Sequence, residues 1–222
     1  MGKMIELTAA DGHKLAAYRA DPAGKARGAV VVIQEIFGVN SHIKSVVDGF
    51  AADGYVTIAP AMYDRLQRGY DTGYSQPEIQ AGVAVMQKLD WKQTLLDVDA
   101  AVAAVKSAGK VGIVGYCWGG TVAWVAAART AGIACSAPYY AGGIASFADD
   151  APKVPVMGNF GEQDQSPTPD AVKAVAAKHL SMIVHFYPAG HGFNCDQRGS
   201  FNAESAKLAR SRTLEFFGKH IG

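Results

Sequence analysis

The residue type and spacing that most plainly could do chemistry lie in Gly115-Tyr116-Cys117-Trp118-Gly119-Gly120, between the apolar run Val111–Val114 and an alanine-rich stretch. A strand that turns sharply into a helix strains the backbone at its apex. Glycines two residues to either side remove the Cβ atoms that would clash there, so G-x-C-x-G reads as a nucleophile elbow. The turn thrusts the thiol toward solvent, and the backbone N–H groups at the helix start favour negative charge. Cys117 is therefore the candidate nucleophile, with the Trp118 N–H as a candidate oxyanion donor. The competing reading is a buried, inert cysteine after a glycine turn. Strand, glycines and helix together favour the nucleophile.

A thiol nucleophile of this kind calls for a base and an orienting acid. The apolar run Val154–Phe160 leads into Gly161-Glu162-Gln163-Asp164, which offers Asp164 as the acid and Glu162 as its competitor. Asp170 is the better placed helix cap nearby. Pro188-Ala189-Gly190-His191-Gly192-Phe193 sets His191 on a glycine-flanked loop, whereas His13, His42, His179, His185 and His220 fall at sites that read as surface, helix end or strand. The order Cys117, Asp164, His191 is the nucleophile, acid, histidine order of α/β-hydrolases. A fourth segment, Gln34-Glu35-Ile36-Phe37-Gly38-Val39-Asn40, follows the apolar run Val30–Ile33. Spacing alone leaves Glu35 an ordinary loop acid. In this architecture the same loop supplies the second oxyanion N–H, which makes Ile36 a donor candidate and Glu35 its neighbour at the site.

These loops must be positioned by elements of a particular kind. Ile5–Thr8 and Leu15–Arg19 alternate in polarity around Asp11-Gly12 and read as an N-terminal antiparallel hairpin. From Ala29 onward short β-branched runs alternate with amphipathic stretches, the rhythm of parallel strands joined by crossover helices. Strands are expected at Ala29–Gln34, Tyr55–Ala59, Lys110–Val114, Ile133–Tyr140, Val154–Phe160 and Met182–Tyr187. Helices are expected near His42–Asp53, Pro77–Lys88, Lys92–Ser107, Gly119–Thr130, Thr168–Lys178 and Asn202–Lys219. The result is a single-domain α/β protein with a mostly parallel, doubly wound sheet, in which ligands bind beyond the carboxyl ends of the strands.

Composition narrows the function. The chain has 222 residues, 49% of them hydrophobic, enough for one well-packed core and too apolar for a disordered protein. With 21 basic against 20 acidic residues it carries no electrostatic footprint for nucleic acid or an anionic membrane. The longest unbroken apolar run, Val122–Ala128, is too short for a membrane span, and no signal-peptide pattern is visible. Cys117, Cys135 and Cys195 form no CxxC pair, which argues against a disulfide framework or a zinc site and points to a reducing cytoplasmic home.

Taken together, Gln34–Asn40, Gly115–Gly120, Gly161–Asp164 and Gly190-His191-Gly192-Phe193 resemble the dienelactone hydrolase family, the carboxymethylenebutenolidases, over nearly the whole chain. The resemblance implies an α/β-hydrolase fold and a Cys117–Asp164–His191 triad, with the Ile36 and Trp118 amides as oxyanion hole. It also places Glu35 beside the thiol, whose proton it accepts when substrate enters. Two arginines that receive the substrate carboxylate in the archetypal family enzyme are not matched, since their positions hold Ile79 and Cys195. Arg198, or Arg65 and Arg68, are the cations left to substitute, with a surface role the simpler reading of each. Phe37, Tyr63 and Arg198 are the candidate substrate-binding residues.

The expected activity is cleavage of a small ester or lactone through a thioester, with no metal or organic cofactor, in a monomer or weak homo-oligomer. Alternatives are hydrolysis of other activated electrophiles such as neutral phosphotriesters, or a non-catalytic electrophile or redox sensor built on Cys117. A catalyst releases many equivalents of alcohol per chain, and a sensor stops at one modification.

Overall fold

In the computed structural model, which describes residues 1–222, the short apolar runs lie side by side in one sheet. The strands are β1 (Lys3–Thr8), β2 (Lys14–Ala20), β3 (Ala29–Ile33), β4 (Val56–Pro60), β5 (Val111–Tyr116), β6 (Ile133–Tyr139), β7 (Met157–Gly161) and β8 (Ile183–Tyr187). Their order across the sheet is β1-β2-β4-β3-β5-β6-β7-β8. Strand β2 pairs antiparallel with both β1 and β4, and every other neighbouring pair is parallel. This is the expected hairpin added to a parallel sheet.

Six helices cover the two faces: α1 (Ser41–Ala52), α2 (Gln76–Met86), α3 (Trp91–Val105), α4 (Trp118–Arg129), α5 (Pro169–Lys178) and α6 (Ala203–His220). Successive strand residues point to opposite faces, and β3 divides its side chains accordingly. Val30 and Val32 pack in a core shared with Phe50 of α1 and Phe217 of α6, while Val31 and Ile33 pack with Val98 of α3 and Ala126 of α4. Burial on both sides explains why the central strands read as continuous apolar runs. No helix is long and apolar enough to cross a membrane.

Most element ends fall within one or two residues of expectation, and three differences have identifiable reasons. Strand β5 continues through Gly115 and Tyr116, which pair with Pro138 and Tyr139, so the ladder reaches the elbow itself. Strand β7 starts at Met157 rather than Val154 because Pro155 has no N–H to give a ladder. The cap of α5 is Thr168, whose hydroxyl accepts from the Ala171 N–H at 3.3 Å, and Asp170 lies exposed in the first turn.

Arg65 is a larger departure. It is not a surface cation: its side chain is 8% exposed and grips Asp97 in a bidentate pair, with both N···O distances 2.8 Å, while a third nitrogen reaches Asp11. Burial pushes the Asp97 carboxyl up even against the pull of Arg65. Removing the cation strands that carboxylate. Arg65→Met is therefore expected to lower unfolding free energy by about 3–5 kcal/mol, read from urea denaturation. A change under about 1 kcal/mol would show that the pair contributes little.

Candidate active site

The elbow forms where β5 meets α4. Cys117 has φ 57° and ψ −118°, a conformation that costs a non-glycine residue about 1–3 kcal/mol. Its N–H donates to the Tyr139 carbonyl at 3.1 Å, which ties the apex to the end of β6. Backbones approach so closely here that side chains have no room. A Cβ at Gly115 would fall on the Gly119 carbonyl oxygen, and one at Gly119 on the carbonyls of Ile33 and Gln34. The glycines thus bring the start of α4 against the end of β3, leaving the half-buried Cys117 side chain in a cavity wall.

The loops after β7 and β8 bring Asp164 and His191 together. Asp164 is 1% exposed, and its Oδ2 lies 2.9 Å from His191 Nδ1. Its other oxygen accepts from the Ser166 N–H at 2.8 Å, so the carboxylate is fixed at both ends. Glu162 is exposed and takes no part. Burial disfavours the charged form of His191, but the Cys117 sulfur and the Asp164 carboxylate outweigh it and hold the ring at about 10. Tyr140, immediately after β6, packs its ring edge against the His191 ring at 5.1 Å and has φ 33°. Sequence reasoning gave no sign of this contact.

The loop after β3 is built on Gln34, which is fully buried and accepts from the Met62 N–H at 3.1 Å. Glu35 follows it into the interior, 1% exposed, where its Oε1 accepts from Arg198 Nη1 at 3.0 Å. The carboxylate is held by this guanidinium rather than hydrogen-bonded to the thiol. Phe37 packs against Tyr74, with ring centroids 4.5 Å apart, and lies under the Arg198 guanidinium. Tyr63 is buried, donates to the Gly82 carbonyl at 3.2 Å and packs against the Trp118 ring. Phe37, Tyr63 and Arg198, the candidate substrate-binding residues, do not line the cavity; each supports a neighbouring segment instead.

The cavity has a volume of about 460 Å³. Ile36, Cys117, Trp118 and His191 meet in its wall, with the N–H of Trp118 in the first turn of α4, where backbone donors have no partner within the helix. The remaining wall is mostly apolar: Val83, Met86, Leu89 and Trp91 come from the end of α2 and the start of α3, and Phe147 from a short 3-10 turn over Ile144–Phe147. Trp91 and Phe147 meet edge to face at 4.6 Å. The wall contains no lysine or arginine. Ile79 and the fully buried Cys195 do not reach it either. Outside this wall, one ligand-capable atom from each of Glu35, His42 and Cys195 lies within 4.8 Å of the others.

Comparison with known proteins places this geometry in context. The profile of the Dienelactone hydrolase family matches residues 15–221. A Synechocystis sp. protein named “Putative carboxymethylenebutenolidase” is 33% identical over 92% of this chain and 91% of its own length. Carboxymethylenebutenolidase 1 of Cupriavidus pinatubonensis is 28% identical over 95% of this chain and 94% of its own. Among solved structures, a dienelactone hydrolase-like promiscuous phosphotriesterase from metagenomic libraries superposes with a TM-score of 0.82, at 19% identity over 100% of this chain and 99% of the other. The shared architecture is the α/β-hydrolase fold.

Proposed function

The chain belongs to the dienelactone hydrolase family, and from that membership and the contents of the cavity we propose that it is a cysteine hydrolase of small neutral esters or lactones. The observation that carries the reading is the convergence of the Cys117 thiol, the His191 ring, Ile36 of the loop after β3 and Trp118 of the first turn of α4 on one cavity, with Asp164 bound to the far side of the imidazole at 2.9 Å.

In this reading His191 takes the Cys117 thiol proton at Nε2, Cys117 Sγ attacks the substrate carbonyl carbon, and the negative charge that develops on oxygen is received by the Ile36 and Trp118 N–H groups. Collapse of the tetrahedral intermediate breaks the carbon–oxygen bond, and His191 gives its Nε2 proton to the departing alkoxide. The neutral ring then takes a proton from water, whose oxygen cleaves the thioester and releases the acid and the thiol. Asp164 fixes the ring throughout. Glu35 is the second acceptor for the thiol proton, available when Arg198 releases it.

The preference for neutral substrates follows from the wall. A carboxylate entering this cavity loses water and meets no lysine or arginine, and the one charged group in the wall, the His191 ring, is already paired with Asp164. Arginine contacts would return about 1.5–3 kcal/mol each, or one to two powers of ten. The function is tested with paired aryl esters differing only in a free acid against its methyl ester, alongside lactones, with intact-mass detection of an acyl adduct on Cys117. The methyl ester is expected to show about 10–100-fold higher kcat/KM. Preference for the free acid would overturn the neutral pocket, and absence of any acyl adduct or turnover across the panel would overturn the hydrolase. A second reading, attack on neutral phosphotriesters, draws support from the like-folded promiscuous phosphotriesterase. The same panel includes such a substrate.

A further inference from the structure

Glu35, His42 and Cys195 come from three separate parts of the chain: the loop after β3, the first turn of α1 and the loop after β8. They are 1%, 4% and 0% exposed, and one ligand-capable atom from each lies within 4.8 Å of the others. We propose that these three side chains form a binding site for a borderline-soft divalent ion of the zinc type, outside the substrate cavity wall, and that an ion bound there withdraws Glu35 from the thiol proton and leaves His191 as its one acceptor.

The second observation is an orphaned nitrogen. His42 Nδ1 is taken by Asp196 Oδ1 at 3.0 Å, while Nε2 is shut off from solvent and has no hydrogen-bond partner. A buried, unsatisfied nitrogen is costly. With the ring proton directed at Asp196, Nε2 presents a lone pair, the form in which neutral imidazole ligates a metal. The carboxylate on the opposite nitrogen is the outer partner commonly found behind ligating histidines.

Glu35 has an equivalent arrangement. Arg198 occupies Oε1, which leaves Oε2 for an ion, and an outer guanidinium fixes the carboxylate as Asp196 fixes the imidazole. Residues 195–198 therefore supply one ligand and both outer partners. A sulfur, a nitrogen and an oxygen donor suit zinc or cobalt in a tetrahedron with one position left for water, and not calcium or magnesium, which take oxygen alone. Coordination replaces the S–H proton of Cys195, which passes to solvent. The inner shell of a divalent ion, one thiolate and one carboxylate is then neutral. A cavity of about 370 Å³ lined in part by His42, Asn194 and Asp196 borders the outer side of the site, and Glu35 and Cys195 lie behind it. No spacing rule could find the site, because Glu35 and Cys195 are joined only by the fold.

The test uses the full chain, stripped with chelator, and titration with Zn²⁺ against a competing chelator. Co²⁺ substitution reports sulfur ligation through a thiolate-to-cobalt charge-transfer band. Wild type and Cys117→Ser are both expected to bind one equivalent with that band. Cys195→Ala should lose the band, His42→Gln should bind at least about 100-fold more weakly, and Asp196→Asn should weaken binding by about 10–100-fold. Asp196 is exposed, so its variant retains the fold and keeps the test decisive if a core variant does not. Absence of saturable binding overturns the site. So does binding that survives in Cys195→Ala, or that disappears in Cys117→Ser, which would place the ion on the nucleophile.

Discussion

Cys117→Ala is expected to lose turnover on a neutral aryl ester by about 10⁶-fold in kcat, the scale on which a hydrolase loses activity when its nucleophile is removed, while circular dichroism and the urea midpoint stay close to wild type. Alanine keeps the Cβ and therefore the strain at φ 57°, and the thiol it removes lies in a cavity wall rather than in the core. Cys135 is the contrasting control. It is fully buried within β6, where burial pushes its thiol up to about 12, so Cys135→Ala should leave the rate largely unchanged. Multiple turnover by Cys117→Ala, measured as alcohol released beyond one equivalent per chain, would remove the thiol from the chemistry.

His191→Ala is expected to cost about 10²–10⁴-fold in kcat/KM, the usual range for loss of a general base. The more diagnostic effect is on the ring itself. His191 is held at about 10, above the ordinary imidazole value of 6.5, against burial and by Cys117 and Asp164. The protonated ring thus adds stability in full below about 6.5, and this contribution is lost as pH rises through about 10. If the sulfur carries much of the effect, the ring in Cys117→Ala titrates at lower pH than in wild type, an NMR shift experiment. On the proposed mechanism, wild-type turnover should decline as pH climbs through about 10, where His191 loses the proton it would give the leaving alkoxide. An unchanged ring titration in Cys117→Ala would show that Cys117 and His191 are not electrostatically coupled.

The elbow and its partners were legible because each depends on local chemistry. Gly115 and Gly119 are required by backbone approach, and Asp164 and His191 follow strands recognisable as apolar runs. What escaped was decided by contacts across the fold. Arg65 reads as a surface cation until Asp97 is found beside it, and Arg198 reads as a free one until its partner proves to be Glu35. The apolar wall was hidden for a different reason. Val83, Met86 and Leu89 have the composition of an ordinary packing face, and nothing local distinguishes a helix side that covers a cavity from one that covers a core. The 3-10 turn carrying Phe147 is too short to leave a periodic signal.

The division of the cavity wall bears on how such a protein diversifies. The proposed reacting groups follow the ends of β3, β5, β7 and β8, whereas much of the apolar wall comes from the junction of α2 and α3, Val83–Trp91, and the turn ending at Phe147. Substitutions in these connections change what fits without altering the thiol, the imidazole or the carboxylate. Reactivity and diet are thus encoded on separate stretches of chain and can drift independently. A lineage of such enzymes is free to radiate across substrates while inheriting one unchanged chemistry, and a laboratory library restricted to Val83, Met86, Leu89, Trp91 and Phe147 explores the same freedom.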